Sequence, residues 1–372
     1  MKFVVQRESL LSLIGKIQGI VPTKAIIPIL SNVLIEAFDR QIVITATDIT
    51  VTMRSKIDAQ IEECGTITVP ARRFFQLIRE LTAPDIYLET DTNGIARVTS
   101  GTSHFMLHGM DSSEFPSFQS VNDGISFNIE SSVLKEMLSN TAFAVAKEHD
   151  NQALTGLLLE LIDGKATAVG TNGKRLAKMD KSINFNNANK STSVIPIKTV
   201  EEIIKLLNND SQNITINIVD DKISLECDQW CIVSKLISDK YPDYNRIIPS
   251  KEEIKEITIH KDELMTLLKQ LSLFTSEANN SVKFTFVDGE LQLQTINRDI
   301  GEGKVKMPVD YSGSQLEIAF NPNYFLDILK HCKKETINFG VSNSVNPGLI
   351  VDSSDSQSSP NVVFALMPLR IL

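Results

Sequence analysis

The sequence predicts an α+β fold in which three similar domains follow one another, each with two helices packed on antiparallel sheets. The first observation behind this prediction is a repeat. Prolines recur at an interval of 126 residues in two series, which are Pro70, Pro196 and Pro322, and then Pro116, Pro242 and Pro368. An internal repeat indicates one structural unit copied along the chain. We therefore expect domains at residues 1–120, 121–250 and 251–372.

The second observation is a series of turn signals at matching places in the three copies. Asp39, Asp163 and Asp288 each separate two strand-like runs, and the last two are followed by glycine. Asp-Gly is a residue pair that type I′ hairpin turns prefer. A further series lies nine residues later and ends the next strand, at Asp48, Asn172 and Asn297. Each copy is therefore expected to contain antiparallel strands joined by tight turns.

The third observation is helical periodicity. Residues 9–19 and 71–81 read as helices, and Phe74, Leu77, Ile78 and Leu81 fall on one face of the second. Pro70 is predicted at the first helical position, where its missing N–H costs nothing. Asn321 is predicted to cap the last helix of the chain. With two helices in each copy, the sequence predicts six.

The amino-acid composition limits the classes of protein to which the chain can belong. The 372 residues include 37 Lys plus Arg against 46 Asp plus Glu, for a formal net charge of −9. A hydrophobic fraction of 42% with 22% charged residues excludes disorder of the whole chain. A pI near 5.2 argues against tight binding of nucleic acid through an overall positive charge. The first residues are charged too early for a signal peptide, and no apolar run approaches about 18 residues. We expect a cytoplasmic protein with no membrane partner.

Residues that would carry enzyme chemistry do not form a recognisable set. His104 and His108 have the spacing of metal ligands on a helix, but the residues between them read as a strand, where such side chains lie well apart. The segment from Thr171 to Lys174 lacks the upstream glycine of a phosphate-binding loop and reads as a turn. We expect no catalytic residue, no metal site and no cofactor.

Basic residues accompany every predicted helix, opposite its apolar face. They are Lys16 in the first; Arg72, Arg73 and Arg79 in the second; Lys135 and Lys147 in the third; Lys198 and Lys205 in the fourth; Lys261 and Lys269 in the fifth; and Lys330, Lys333 and Lys334 in the sixth. Acidic residues share these segments. A basic lining and an ordinary solvated surface therefore both remain open.

Seven short motifs, in order along the whole chain, resemble the bacterial DNA polymerase III beta subunit, the sliding clamp family. They are Met1-Lys2-Phe3, Pro28-Ile29-Leu30-Ser31-Asn32, Thr45-Ala46-Thr47-Asp48, Val69-Pro70-Ala71-Arg72-Arg73-Phe74-Phe75, Thr171-Asn172-Gly173-Lys174-Arg175-Leu176, Tyr241-Pro242-Asp243-Tyr244-Asn245-Arg246 and Met367-Pro368-Leu369-Arg370. Each motif is modest, and jointly they are specific.

The resemblance implies a non-catalytic ring. Two chains would pair head to tail as a homodimer of six domains, with helices lining a hole through which double-stranded DNA passes. The DNA-binding residues that it implies are Lys24, Arg72, Arg73 and Lys198. At the dimer interface, Phe105 and Leu107 of one chain would meet Leu273 and Phe274 of the other.

The resemblance also implies a groove for short linear peptides from the clamp loader, the replicative polymerase and repair proteins. Its residues would be Leu154, Thr171, Gly173, Arg175, Leu176, Pro242, Arg246, Ile247, Asn321, Tyr324, Met367, Pro368, Leu369 and Arg370. The chain departs from the best-known members at Asn172, Lys174 and Ala365, which leaves its peptide preference open. Residues 148–153 lack the tyrosines often found in the DNA-facing loop.

Two other classes of protein remain as alternatives. One is an interaction scaffold of repeated α+β domains that does not bind DNA, which would be a monomer. The other is an enzyme of unrecognised type, which would need a catalytic cluster that the sequence does not reveal.

Overall fold

The structure is a computed structural model, and it describes residues 1–91, 94–121, 124–183, 190–208, 211–250, 252, 254–276, 280–352 and 362–370. The chain divides into two compact units. One is formed mainly by Met1–Lys135 and Lys198–Ile237, and the other mainly by Glu136–Ser182 and Ser238–Leu372.

The first unit contains two sheets in which the pairing is antiparallel. One has five strands, in the spatial order β5 (Gln60–Glu63), β1 (Lys2–Gln6), β7 (Asp85–Thr90), β8 (Ile95–Ser100) and β9 (Ser103–His108). The other has eight strands, in the order β10 (Ile125–Glu130), β15 (Asn213–Val219), β16 (Lys222–Glu226), β17 (Trp230–Lys235), β4 (Val51–Asp58), β3 (Gln41–Thr47), β2 (Asn32–Phe38) and β6 (Gly65–Pro70).

The second unit also contains two antiparallel sheets. One has eight strands, in the order β14 (Ser191–Pro196), β11 (Gly156–Ile162), β12 (Lys165–Thr171), β13 (Arg175–Ser182), β25 (Val362–Leu366), β24 (Gly348–Asp352), β23 (Thr336–Val341) and β18 (Lys255–His260). The other has four, in the order β21 (Gly301–Pro308), β20 (Glu290–Asn297), β19 (Val282–Val287) and β22 (Leu316–Phe320).

Six α-helices lie within the described residues: α1 (Arg7–Ile17), α2 (Ala71–Glu80), α3 (Ser131–Ala142), α4 (Ile197–Leu206), α5 (Lys261–Ser272) and α6 (Pro322–Leu329). Helix α1 packs on α2, and α5 packs on α6. Phe74 and Ile78 are fully buried on the inner face of α2, as the periodicity predicts. The predicted α+β fold of helices on antiparallel sheets is confirmed.

The prediction that Pro70 begins a helix was wrong. Pro70 is the last residue of β6, opposite Asn32, and α2 begins at the next residue. Strand β6 lies at the edge of its sheet, where a proline without an N–H is tolerated. Pro322, by contrast, does occupy the first turn of α6. The side chain of Asn321 caps that helix by accepting hydrogen bonds from the N–H groups of Asn323 and Tyr324, so the predicted cap is confirmed.

The prediction that every helix carries a base was also wrong. Helix α6 ends at Leu329 and has no basic residue, because Lys330 is already its C-terminal cap. Beyond it, the N–H groups of His331 and Cys332 donate to carbonyls three residues earlier. This is the hydrogen-bond pattern of a 3₁₀ turn, so the α-helix does not continue. Lys147 lies similarly beyond the end of α3.

Hairpin turns occur at all three predicted aspartates. In each, the two residues between the paired strands begin with the aspartate: Asp39, Asp163 or Asp288. Both residues have positive φ only in Asp163-Gly164, at 48° and 72°, which fits a type I′ turn. In the third turn only Gly289 has positive φ, so the type I′ prediction holds for one of the two Asp-Gly pairs.

Candidate functional site

The turn between β12 and β13 fixes the backbone of the main candidate site. The Oγ1 of Thr171 donates to the carbonyl of Arg175 at 2.6 Å and accepts from the N–H of Gly173 at 3.1 Å. The Oδ1 of Asn172 accepts from the N–H groups of Lys174 and Arg175, each at 3.0 Å. Gly173 has φ 78°, a conformation that glycine adopts without a steric penalty. The Thr-Asn-Gly sequence therefore sets the direction in which Arg175 leaves the turn.

Arg175 is held among aromatic and acidic groups of the second unit. Its side chain is 10% exposed. Nη1 donates to Oδ2 of Asp327 at 2.7 Å, and Nη2 donates to the carbonyl of Phe143 at 2.5 Å. The guanidinium carbon lies 4.7 Å from the ring centre of Tyr324 and 5.2 Å from that of Phe143. Two hydrogen bonds and two cation–π contacts thus orient one buried cation.

The carboxylate beside this cation is stabilised in its charged form. Partial burial of Asp327 by itself raises its pKa, but the hydrogen bonds from Arg175 and Lys330 outweigh it, and the pKa is lowered from the usual value of 3.8. Asp327 therefore remains ionised at neutral pH. The charge of Arg175 has a counter-ion there.

Strand β25 brings the C-terminal segment against the turn. Leu366 lies opposite Arg175 in the pairing of β25 with β13. The N–H of Met367 donates to the carbonyl of Lys174 at 2.9 Å, and that of Leu369 donates to the carbonyl of Ala319 at 2.7 Å. Met367 is 38% exposed. An apolar, partly exposed rim thus adjoins the Arg175 turn.

The structure brings some predicted groove residues together directly and leaves others apart. Thr171, Gly173, Arg175, Tyr324 and Met367 are joined by the contacts above. Leu154 and Leu176 are 6% and 1% exposed and belong to the core.

The segment that carries Pro242, Arg246 and Ile247 is attached to the same sheet through the hydroxyl of Tyr241, which donates to the carbonyl of Val169. Arg246 is 86% exposed and pairs with Asp243. Pro368 lies between the two anchored residues Met367 and Leu369, and Arg370 is exposed.

Three residues of this site were missed by sequence reasoning: Phe143, Asp327 and His331. The rings of Phe143 and His331 stack at 4.0 Å between centres. Asp327 is 152 residues from Arg175 in the sequence. No local pattern distinguishes it from the other acidic residues on helices, because only the tertiary contact sets it apart.

The predicted DNA-binding residues differ in their surroundings. Lys24, Arg72 and Arg73 are exposed. Lys198 instead donates to Oδ2 of Asp48 at 2.5 Å and to the carbonyl of Ile20 at 3.4 Å, within the first unit. The structure therefore leaves three of the four bases accessible and engages the fourth in an ion pair.

The predicted interface residues lie at or near the edges of two sheets. In β9, Phe105 is 42% exposed, and Leu107 is half-buried. In the second unit, Leu273 follows α5 and is 75% exposed. The half-buried Phe274 lies under β21, with a ring carbon 3.6 Å from where a Cβ on Gly301 would lie.

Within the described residues, no set of three or more His, Cys, Asp and Glu side chains could hold a metal ion. The described helices are each too short or too polar to cross a membrane.

Comparison with known proteins bears on what these features do. Profiles of the DNA polymerase III beta subunit match residues 1–119 with the N-terminal domain, 128–243 with the central domain and 245–369 with the C-terminal domain. The chain belongs to the DNA polymerase III beta subunit family. It is 44% identical over 371 residues to the beta sliding clamp of Chlamydia pneumoniae, covering 100% of this chain and 99% of that protein.

Solved structures agree with this membership. A crystal structure of the DNA polymerase III subunit beta from Pseudomonas aeruginosa matches with a TM-score of 0.94 at 27% identity, covering both chains completely. A sliding clamp from Bartonella birtlesii, bound to griselimycin, matches with a TM-score of 0.94 at 29% identity, again over 100% of both chains. The predicted three-domain clamp fold is confirmed, and so is the function of a DNA polymerase III sliding clamp.

Proposed function

We propose that two copies of this chain close head to tail into a ring around double-stranded DNA and tether the replicative polymerase to it. The ring is non-catalytic and acts in the cytoplasm. The domain bounds 1–120, 121–250 and 251–372 belong to the same proposal, and the three matched profile ranges support them.

The observation that carries the proposal is strand order. Each eight-stranded sheet joins four strands of one copy to four strands of the next, through the pair β17 and β4 in the first unit and the pair β25 and β13 in the second. In the two smaller sheets, β1-β7-β8-β9 (which β5 flanks beyond β1) and β21-β20-β19-β22 match the two halves of such an eight-stranded sheet. Strand β9 corresponds to β17 and β25, and β21 corresponds to β4 and β13. Pairing β9 with the partner's β21 would complete a third sheet of the same kind.

The two joints within the chain also suggest the register of the third. In the first joint, the third residue of β17, Ile232, lies opposite the third residue of β4, Met53. The second joint likewise pairs third residues. The third residues of the free edges are Phe105 and Gly303, so Phe105 would lie opposite the partner's Gly303. Phe105 faces the same side of its sheet as the buried Val98, which agrees with a place in the joint core.

Glycines on β21 fit the large side chains of β9. By the same register, Leu107 would lie opposite the partner's Gly301. The ring of Phe274 lies next to both Gly301 and Gly303 on the helix side. Phe105 and Leu107 would therefore pack over two residues without side chains and against Phe274. This arrangement supports the predicted interface, to which Leu273 would add its exposed side chain.

The proposed peptide groove has the apolar and polar parts that such a site needs. Met367 and its neighbours offer a partly exposed apolar rim, and Arg175 offers an oriented cation. Apolar anchors give most of the affinity in such grooves, while a few polar groups set orientation. Short linear peptides of the clamp loader, the polymerase and repair proteins are the proposed ligands. The groove residues are those named from the family resemblance.

Contact with DNA would be electrostatic and independent of sequence. Lys24, Arg72 and Arg73 are exposed and can approach phosphate, while the net charge of −9 disfavours tight binding. Weak attraction suits a ring that must slide, because closure around the duplex keeps it in place.

The test is loading onto circular DNA. We expect sedimentation to give a dimer of twice 41.3 kDa. After loading onto a nicked circle with a clamp loader, the protein should stay bound through gel filtration and leave when a restriction enzyme opens the circle. Retention after linearisation would show binding by contact rather than by encirclement. A monomer that no loader can retain on DNA would instead favour the scaffold without DNA.

A further inference from the structure

Each joint contains a basic residue at the fourth position of one strand. The three bases are Arg54 in β4, Lys178 in β13 and Lys304 in β21. In the two joints within the chain, the residue opposite the base is the second of its strand: Cys231 lies opposite Arg54, and Val363 lies opposite Lys178. Burial raises the pKa of the Cys231 thiol to about 12. Both internal joints therefore place the base opposite an uncharged side chain.

The proposed joint between two chains has a histidine at the equivalent place. The second residue of β9 is His104, which the register of the internal joints puts opposite the partner's Lys304. His104 is exposed, and its Nδ1 lies 3.1 Å from Oγ1 of Thr99. A threonine hydroxyl can donate or accept, so this contact survives protonation of the ring. Histidine gains its proton between about pH 8 and pH 5. This joint can therefore change the charge opposite its base near neutral pH.

The charge of Lys304 is not neutralised by an ion pair within its own chain. Among the described residues, Lys304 forms none, and Glu290 on the neighbouring strand β20 pairs instead with Lys306 at 2.9 Å. The two internal bases each have a carboxylate, which is Glu36 for Arg54 at 3.0 Å and Asp180 for Lys178 at 3.2 Å. A positive charge brought opposite Lys304 would thus meet a cation without a counter-ion.

The partner's other charges near His104 are more distant and of both signs. In the proposed register, Glu302 and Lys306 lie diagonal to His104, at roughly 7–8 Å between Cβ atoms, against about 5 Å for the directly opposite Lys304. Glu302 attracts a protonated ring and Lys306 repels it. Behind Lys304, strand β20 presents the uncharged Gln294. The charge of Lys304 therefore decides the sign of the interaction.

The charges of its own chain around His104 are already paired or far away. Arg97 on β8 lies diagonal to it, opposite Met106, and pairs with Asp91 at 3.7 Å. His108 lies four residues further along β9, about 13 Å away. Strand β6, which also packs on β9, has no titratable side chain. Strand β7, one strand beyond β8, adds Tyr87 and also Glu89, which pairs with Lys2 at 3.4 Å.

We propose that proton uptake by His104 weakens the ring, because it sets two positive charges opposite each other at both joints. This inference rests on the proposed head-to-tail ring. Like charges directly opposite in an antiparallel pair are destabilising. The closed ring therefore disfavours a proton that the free chain accepts, so dissociation increases as pH falls. Over two joints, we expect the dissociation constant to rise about threefold to tenfold between pH 8 and pH 5.5.

Analytical ultracentrifugation of the full chain over a dilution series, at pH 8, 7, 6 and 5.5, tests the proposal. Circular dichroism at each pH reports the fold. His104→Gln is uncharged throughout this range and should abolish the rise. His108→Gln, at the other histidine of β9, is the matched control and should retain it. A dissociation constant that does not change with pH in the unaltered protein would overturn the proposal, and so would an equal rise in His104→Gln.

The variant Lys304→Glu should reverse the direction of the pH dependence, because a protonated His104 would then meet a carboxylate. Its dimer should tighten as pH falls. Weakening by acid in this variant, as in the unaltered protein, would show that Lys304 is not the opposing charge and would overturn the proposal. A dimer that ignores pH rejects only the role of His104. A chain that stays monomeric at every pH and concentration contradicts the ring, and this inference with it.

Discussion

Lys198 and Asp48 form an ion pair at 2.5 Å, which turns a base expected to meet DNA toward a carboxylate of its own chain. Asp48 is 15% exposed, and its other oxygen, Oδ1, accepts from the N–H groups of Thr50 and Val51. The carboxylate thus closes a turn and neutralises a lysine at once. The ion pair therefore offsets positive charge that the half-buried Lys198 places on α4.

Freeing Lys198 should strengthen DNA attraction. Asp48→Asn keeps Oδ1 for the turn and removes the charge that holds Lys198. We expect a steeper fall of DNA affinity with salt, by about one unit in the slope of log affinity against log salt, because one more phosphate is neutralised. Binding of the ring to short duplexes at several salt concentrations measures it. Asp58→Asn, at an exposed carboxylate on β4, is the control, and an equal change there would refute the special role of Asp48.

Truncating Phe105 should open the ring. We expect Phe105→Ala to lose about 1.5 kcal/mol of apolar burial at each joint. A closed head-to-tail dimer has two such joints, so its dissociation constant should rise on the order of a hundredfold. Analytical ultracentrifugation over a dilution series measures this. Met106→Ala is the matched control, because Met106 is 66% exposed on the opposite face of β9. Equal weakening by both variants would contradict the proposed register.

The turns at Ile49 and Gly173 occupy equivalent places in two copies of the repeat and make a reciprocal test of backbone strain. Ile49 has φ 79° and Gly173 has φ 78°, and each N–H donates to a threonine Oγ1 two residues earlier. A β-branched residue is strained in this conformation, by about 1–2 kcal/mol. Ile49→Gly should therefore stabilise the first unit by about 0.5–1 kcal/mol after the entropy cost of glycine.

The reverse change, Gly173→Ile, should destabilise the second unit by about 1–2 kcal/mol. The cause would be conformational, since a Cβ at Gly173 meets nothing within 4 Å. Denaturant unfolding curves of both variants measure the two effects. No loss on Gly173→Ile would show that the turn relaxes at little cost.

Acid should weaken the second unit through Glu136. Its partial burial alone would raise the pKa, but hydrogen bonds from Lys333 and Lys181 lower the pKa from the usual 4.5. Because the folded pKa is the lower one, the stabilisation is present above pH 4.5 and is lost as pH falls through the folded value. Glu136→Gln should cost about 1 kcal/mol at pH 7, at the upper end for exposed pairs.

The difference between Glu136→Gln and the unaltered protein should shrink as the pH falls through the lowered folded pKa of Glu136. Denaturant unfolding at pH 7, 5 and 3.5 follows it. Glu130→Gln, at the exposed end of β10, should show no such trend. A constant difference at all three pH values would mean that the ion pairs are not its source.

The repeat was visible in the sequence because it rests on local chemistry. Asp163-Gly164 predicts a hairpin turn from two residues, and Asn321-Pro322 predicts a helix start from two residues. The hairpin turn and the helix start both depend on backbone preferences of residues that are adjacent in the sequence. The strand-like run Phe105-Met106-Leu107 likewise indicated β9.

Other features of the structure depend on tertiary context. Pro70 suits both a helix start and an edge strand, and the pairing with β2 decides between them. Lys198 reads as a free base until Asp48, 150 residues away, is found beside it. The counter-ion of Arg175 is equally distant in sequence. Such pairs cannot be inferred from periodicity, since periodicity gives only the face on which a residue lies.

Strand β21 has to pair with β9 of the partner chain and with no other strand edge. A single chain carries one unpaired β9 edge and one unpaired β21 edge, and head-to-tail pairing of such unlike edges gives a closed ring where the rotation closes and an open fibre where it does not. Exposed charges at Glu302, Lys304 and Lys306 alternate along β21 with Gly301, Gly303 and Val305. Charged side chains on an edge discourage stray strand pairing. The face of β21 that carries Gly301 and Gly303 then accommodates only a strand whose large side chains lie at the matching spacing. Once two chains have closed into a ring, their β9 and β21 edges are all paired, and no edge of either kind is left for a third chain.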